Sequence, residues 1–153
     1  MIKKIDDKGQ TLCKIQGQMF VESLNRYNGS SYVFIKTFME SNVAFEIDEN
    51  NVLNISEVFE EMDEYTKLNI GNEKINRDVM YWIGYIYRYW AYTYRMRSKR
   101  IFSIANSNLM EQLYAPYHTM DPSLAIERIM EDNNFDVVSD DALEVLKRIY
   151  NEE

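Results

Sequence analysis

"MYWIGYIYRYWAYTYRMRSKR", residues 80–100, holds six of the 12 tyrosines, both tryptophans and five of the 17 basic residues in a chain of 153. How this stretch is wound decides the fold. Its aromatic content and the alternation of Tyr85, Tyr87 and Tyr89 suit a strand by propensity. An unbroken strand from Val79 to Met96 would, however, far exceed the usual length of about five or six residues. Its only interruption, Gly84, makes no hairpin turn by itself. The stretch is therefore read as a helix over roughly 75–96. It is not a membrane span: Arg88 sits in its middle and the apolar run falls short of the roughly 20 residues a span needs.

At about 100° per residue the helix has two faces. Trp82, Ile83, Ile86, Tyr89 and Trp90 form a broad apolar sector, predicted to face the core. Tyr81, Tyr85, Arg88, Tyr92 and Arg95 gather on the other side, with Gly84 and Ala91 beside them. Tyrosine and arginine combine large contact area with a polar handle, which is why they concentrate at protein interfaces. These five are the predicted partner-binding residues. The same face has other readings. Arg88 and Arg95 could pair with acids from other helices over a layer of tyrosines, single-stranded nucleic acid could stack there, or the face could pack on itself in a homodimer.

Around this segment the charge is uneven. The formal net charge is −8, which disfavours a general affinity for nucleic acid or anionic membrane. Residues 40–64 carry nine acids and no base, and residues 121–153 carry ten acids against three bases. Between Asp78 and Glu111 there is no acid at all. The molecule is thus acidic with one basic segment.

Two prolines and five glycines are too few for a loop-rich β chain, and cap signals divide the sequence into helices. The first spans about 9–27 and ends at "NGS". A second starts at Ser30 or Ser31 and stops before "IDENN". A third runs from Asn54, with Glu57 as its capping-box acid, to about Leu68. After the long helix, Ser98 is the expected cap of a short one, and Leu109 to Tyr114 form another. Asp121-Pro122 is a strong start signal, and Ser139-Asp140-Asp141 opens the last helix. The expectation is an all-α single domain, residues 1–153, of about six to seven helices around a long aromatic central helix. The acidic C-terminal helix, 139–150, is expected at its periphery.

No catalytic constellation is legible. The single cysteine, Cys13, lies in an apolar-periodic stretch with Leu12 and Ile15 and reads as a small buried hydrophobe. The single histidine, His118, cannot supply a His-rich metal site, and its neighbour Asp121 is explained as a helix cap. There is no phosphate loop, nucleophile elbow or Gly-rich dinucleotide turn. Residues 98–114 could be read as a DNA-binding helix pair, but the second helix offers no Arg or Lys. No enzyme activity, cofactor or metal is expected. The opening "MIKKIDDKGQ" is lysines followed by acids without an apolar run, so no signal peptide is read there, and a reducing cytoplasm is the expected compartment.

"VMYWIGYIYRYW" (79–90) and "YHTMDPSLAIERIM" (117–130), together with "SSYVFIKTFMESNVAFEID" (30–48), resemble a family of small bacterial proteins of uncharacterised role. The resemblance covers roughly residues 15–132. Genes of that family often stand beside small toxin-like proteins, ADP-ribosyltransferase-like ones among them. The resemblance implies a non-enzymatic antitoxin or immunity-type protein that neutralises a co-encoded toxin by binding it. It transfers no functional residues. The alternatives are a DNA-binding regulator using Arg95 to Arg100, or a homo-oligomeric interaction protein.

Overall fold

Short polar side chains begin nearly every helix. Asp6, in extended backbone, accepts the amide of Gly9 at 2.8 Å and starts α1 (Asp7–Arg26). Ser30 caps α2 (Ser31–Met39), Ser41 caps α3 (Asn42–Asp48) and Asn54 caps α4 (Ile55–Met62). Asn76 caps α5 (Arg77–Tyr94), Asn106 caps α7 (Ser107–Tyr117) and Asp121 caps α8 (Pro122–Asp132). Each such bond satisfies an amide the first turn leaves without a partner, worth typically about 1 kcal/mol. The exception is α6 (Ser98–Ile104), where Arg97 occupies the cap position and makes no side-chain cap bond.

These elements belong to a computed structural model that describes residues 2–51, 54–133, 145 and 147–149. All regular secondary structure among the described residues is helical, with no strand. The all-α class is as expected; the division into helices is finer. The stretch from Ser30 to Asp48 is two helices, because the Ser41 hydroxyl turns onto the amide of Ala44 (3.2 Å) and starts a new one. The helix from Asn54 ends at Met62 instead of Leu68, and a single 3-10 turn over Thr66–Asn69 follows. Among the described residues the count is eight α-helices and one 3-10 turn, above the six to seven expected. The longest of them is α1, with 20 residues, ahead of α5 with 18. The expected opening of a last helix at Ser139-Asp140-Asp141 lies outside the described residues.

Helix α5 packs against α1, α6, α7 and α8. Its closest partner is α1, which lies antiparallel along it: Gly17 meets the ring of Tyr81, Gln16 meets Gly84, and Gly9 meets the ring of Tyr92. Glycines allow this approach, since a Cβ at Gly84 would stand 2.7 Å from the Gln16 carbonyl oxygen. The N-terminal segment then crosses the end of α5, with the Lys3 amide donating to the Thr93 carbonyl at 2.7 Å. Next to the Gly84 contact, Phe20 of α1 meets Phe34 and Phe38 of α2 edge to face, both at 5.5 Å between centroids. Such pairs add about 0.5–1.5 kcal/mol each beyond their area burial. The buried Tyr87 hydroxyl donates to the Ala105 carbonyl at 2.6 Å and ties α5 to the end of α6.

Candidate functional site

The five predicted contact residues share a helix face but not one environment. Arg95 is exposed, Tyr81 and Tyr85 are half-buried, and Arg88 and Tyr92 are buried. α1 covers the Tyr/Arg side at Arg88 and Tyr92, while Tyr81, Tyr85 and Arg95 keep accessible surface. For Arg88 and Tyr92 the hydrogen-bonding partners are intramolecular.

Arg88 is the centre of a buried polar junction. Its side chain is 2% exposed and that of Asp48, at the end of α3, is 3% exposed. The Arg88 Nη1 donates to Asp48 Oδ1 at 2.7 Å, Nε to Gln16 Oε1 at 2.8 Å and Nη2 to the Ser98 hydroxyl at 3.3 Å. Gln16 in turn donates from Nε2 to the Gly84 carbonyl at 3.0 Å. Asp48 Oδ2 accepts the Ser98 amide at 2.7 Å, and Oδ1 accepts the Ser98 hydroxyl at 2.6 Å. Ser98 is therefore not the cap of α6 but its first residue, and the cap comes from Asp48, fifty residues earlier in the chain. One junction joins α1, α3, α5 and α6. A buried pair so fully hydrogen-bonded offsets its desolvation and selects one packing.

Tyr92 is held similarly. Its hydroxyl reaches both oxygens of Asp6, at 2.7 and 2.9 Å, and the Lys3 ammonium lies over its ring, 3.9 Å from the centroid. Burial, then the Asp6 carboxylate, pushes the Tyr92 phenol up to about 12. The Asp6 carboxyl is lowered from 3.8, chiefly by the Tyr92 hydroxyl and the Gly9 amide. Asp63 is lowered by Arg26, and Asp121 by Ser123. A carboxyl depressed in the folded state contributes stability above its unfolded value and loses it as pH falls through the folded one. Melting temperature is thus expected to be flat from neutrality to about pH 5 and to fall below about pH 4. A thermal melt series checks this; a fall already complete above pH 5 contradicts it.

Tyr81 and Tyr85 open onto a groove of about 480 Å³ between α5 and the α7–α8 corner, with Trp82, Ile86, Tyr114 and His118 as the other main walls. Its rings are braced against one another. Trp82 meets Tyr114 edge to face at 5.8 Å, Tyr114 stacks on His118 at 4.2 Å, and Tyr81, Tyr85 and Tyr89 follow at 6.2 and 6.4 Å along α5. Asp78 lines one side and Pro122, next to the exposed Asp121, another. Sequence reasoning found two of these walls. Trp82 was assigned to the core, and Tyr114 and His118 come from another helix, so no spacing within one segment signals them.

The remaining candidates have structural occupations. His118 Nδ1 lies 2.7 Å from the Tyr114 carbonyl, and Asp121 caps α8 by accepting the Ser123 amide at 2.9 Å. Cys13 is fully buried, and burial pushes its thiol up to about 12, the wrong direction for a nucleophile. In the basic segment Arg88 is consumed inside and Arg97 pairs with Glu49 at 2.5 Å, so the tract is not a continuous cationic strip. Among the described residues no group of three or more His, Cys, Asp or Glu could hold a metal ion, and no helix is long and apolar enough to cross a membrane. No family model matches the chain, and no curated protein or solved structure does either.

Proposed function

We propose that the protein is a non-enzymatic binding protein of the antitoxin or immunity type. It neutralises a co-encoded toxin by seating part of it in the groove beside α5, the central helix of the domain in this reading. The observation that carries the reading is the groove itself: Tyr81, Tyr85, Tyr114 and His118 remain accessible while most other aromatic side chains of α5 are buried. Rigid aromatic walls give contact area at little entropic cost, and a desolvated aromatic centre is the usual seat of binding energy. Asp78 and Asp121 beside the groove, on a chain of net charge −8, favour an apolar segment flanked by Lys or Arg. The resemblance of residues 30–48, 79–90 and 117–130 to the toxin-associated family supplies the partner's class. Arg88 and Tyr92 serve this site by holding α5 in place.

The test is neutralisation. Expression of the gene adjacent to this one is expected to arrest growth, and co-expression of this protein to restore it through a one-to-one complex. Tyr81→Ala with Tyr85→Ala is expected to lose both rescue and complex while keeping the helical circular dichroism of the parent. A folded double variant that still rescues moves the site elsewhere. An adjacent gene product that neither harms the cell nor binds removes the antitoxin reading.

A further inference from the structure

A second cavity, of about 290 Å³, lies at the opposite end of α5 from the mouth of the groove and takes no part in the proposed neutralisation. It is lined by Lys3, Tyr92, Arg95 and Arg97 on one side and by Asp48, Glu49 and Asn50 on the other. Its hydrogen-bonding inventory is one-sided. Asp48 is spent on Arg88 and Ser98, and Glu49 on Arg97. Arg95 and Asn50 are exposed, and their side chains have no partner among the described residues. Among the described residues the Lys3 ammonium lies over the Tyr92 ring and near the Asp6 charge. What the cavity leaves unsatisfied is chiefly donors: a guanidinium, an ammonium and the NH2 of an amide, whose carbonyl oxygen is the one accompanying acceptor.

The backbone at the same place is unusual. Asn50 and Arg95 are the only described non-glycine residues with positive φ, at 65° and 52°, and both line this cavity. Arg95 closes α5 in the left-handed conformation, a position where glycine is favoured because a Cβ costs energy there. Strain of that kind persists where the side chain is wanted for something else. The cavity also sits at the C-terminal ends of α3 and α5, whose carbonyls would repel an anion. Several of those carbonyls are occupied: Ala91 accepts the Arg95 and Met96 amides, Thr93 the Lys3 amide, and Phe45, Glu46 and Ile47 the amides of Glu49, Asn51 and Asn50.

We propose that this cavity binds a small phosphate-bearing anion, with Arg95 and Lys3 supplying the charge and Asn50 an amide donor. A guanidinium fork matches two phosphate oxygens at once, and the volume suits a phosphate with at most a short organic part.

The probe is inorganic phosphate titrated into the isotopically labelled full chain against sodium chloride at matched ionic strength. The readouts are the Arg95 Nε and Asn50 Nδ2 resonances and the melting temperature. Saturable shifts of both resonances and a phosphate-dependent rise in melting temperature are expected. Both are expected to vanish in Arg95→Gln and to survive in Lys99→Gln, an exposed neighbour outside the cavity. Arg95→Gly should melt higher than the parent without phosphate, since glycine relieves the backbone, yet gain nothing from phosphate. Glycerol 3-phosphate as a second probe separates a site for the free ion, which binds both alike, from one for a phosphomonoester, which binds the ester more tightly. Absence of saturation overturns the assignment. So does a response that survives Arg95→Gln, or one that Lys99→Gln removes equally.

Discussion

Arg88→Ala is expected to destabilise the protein by about 3–5 kcal/mol, because it leaves the Asp48 carboxylate sealed without its countercharge. The Asp48 side chain is 3% exposed, so little water reaches the place the guanidinium leaves. Gln16 Oε1 loses its donor at the same time, and the cap that Asp48 gives the Ser98 amide is held in a less favourable charge environment. In a domain of this size the loss corresponds to a fall in melting temperature on the order of 10 °C. The informative variant is the double one. Arg88→Met with Asp48→Leu removes both charges and keeps apolar volume, and buried pairs replaced in this way often cost little. The α6 cap is still lost, worth about 1 kcal/mol. A coupling energy of about 1–3 kcal/mol between the two positions is therefore expected from denaturant titration of the four proteins. Strict additivity would mean that the two side chains do not act as a pair, and that the junction is open to solvent.

Gly84→Ala separates two effects of opposite sign. On an isolated helix alanine is favoured over glycine by about 1 kcal/mol. Here the new Cβ would stand 2.7 Å from the Gln16 carbonyl oxygen and 2.9 Å from the Phe20 ring. The carbonyl belongs to the α1 backbone, so α1 must withdraw along its length, loosening Gly17 from Tyr81 and Gln16 from Arg88. Overpacking of this kind costs typically 1–3 kcal/mol, and the two hydrogen bonds of Gln16 across the interface are stretched as well. The net expectation is a loss of about 2 kcal/mol, measured as a lower denaturation midpoint with an unchanged slope. A variant more stable than the parent would show that helix propensity outweighs the packing and that α1 and α5 are not in close contact.

Helix starts were the most legible part of the sequence. The caps legible in the sequence, Ser30 (read as Ser30 or Ser31), Asn54 and Asp121, work by local bonds between residues two or three apart, which a one-dimensional reading can see. Ser98 shows the limit. Its local pattern is that of a cap, yet its hydroxyl goes to Asp48 and its own amide is capped from the same distant carboxylate. The candidate site divides in the same way. That Tyr81 and Tyr85 lie on one side of a helix follows from periodicity, whereas the walls contributed by Tyr114 and His118 follow from how α7 packs.

That the chain is helical, and that residues 80–100 form its most aromatic segment, was already written in the order of its residues. Scarce proline and glycine, cap residues and 3.6-residue periodicity are properties of a chain segment, and they act whatever the rest of the molecule does. Which parts of that helix stay at the surface depends on how the other helices pack on it. A Tyr/Arg stripe is compatible with a foreign partner or with a neighbouring helix. The outcome turned on Gly9, Gly17 and Gly84 letting α1 come close enough, and on Asp48 arriving to neutralise Arg88. A charge can be buried only where its counterpart is, and that counterpart was forty residues away in the chain.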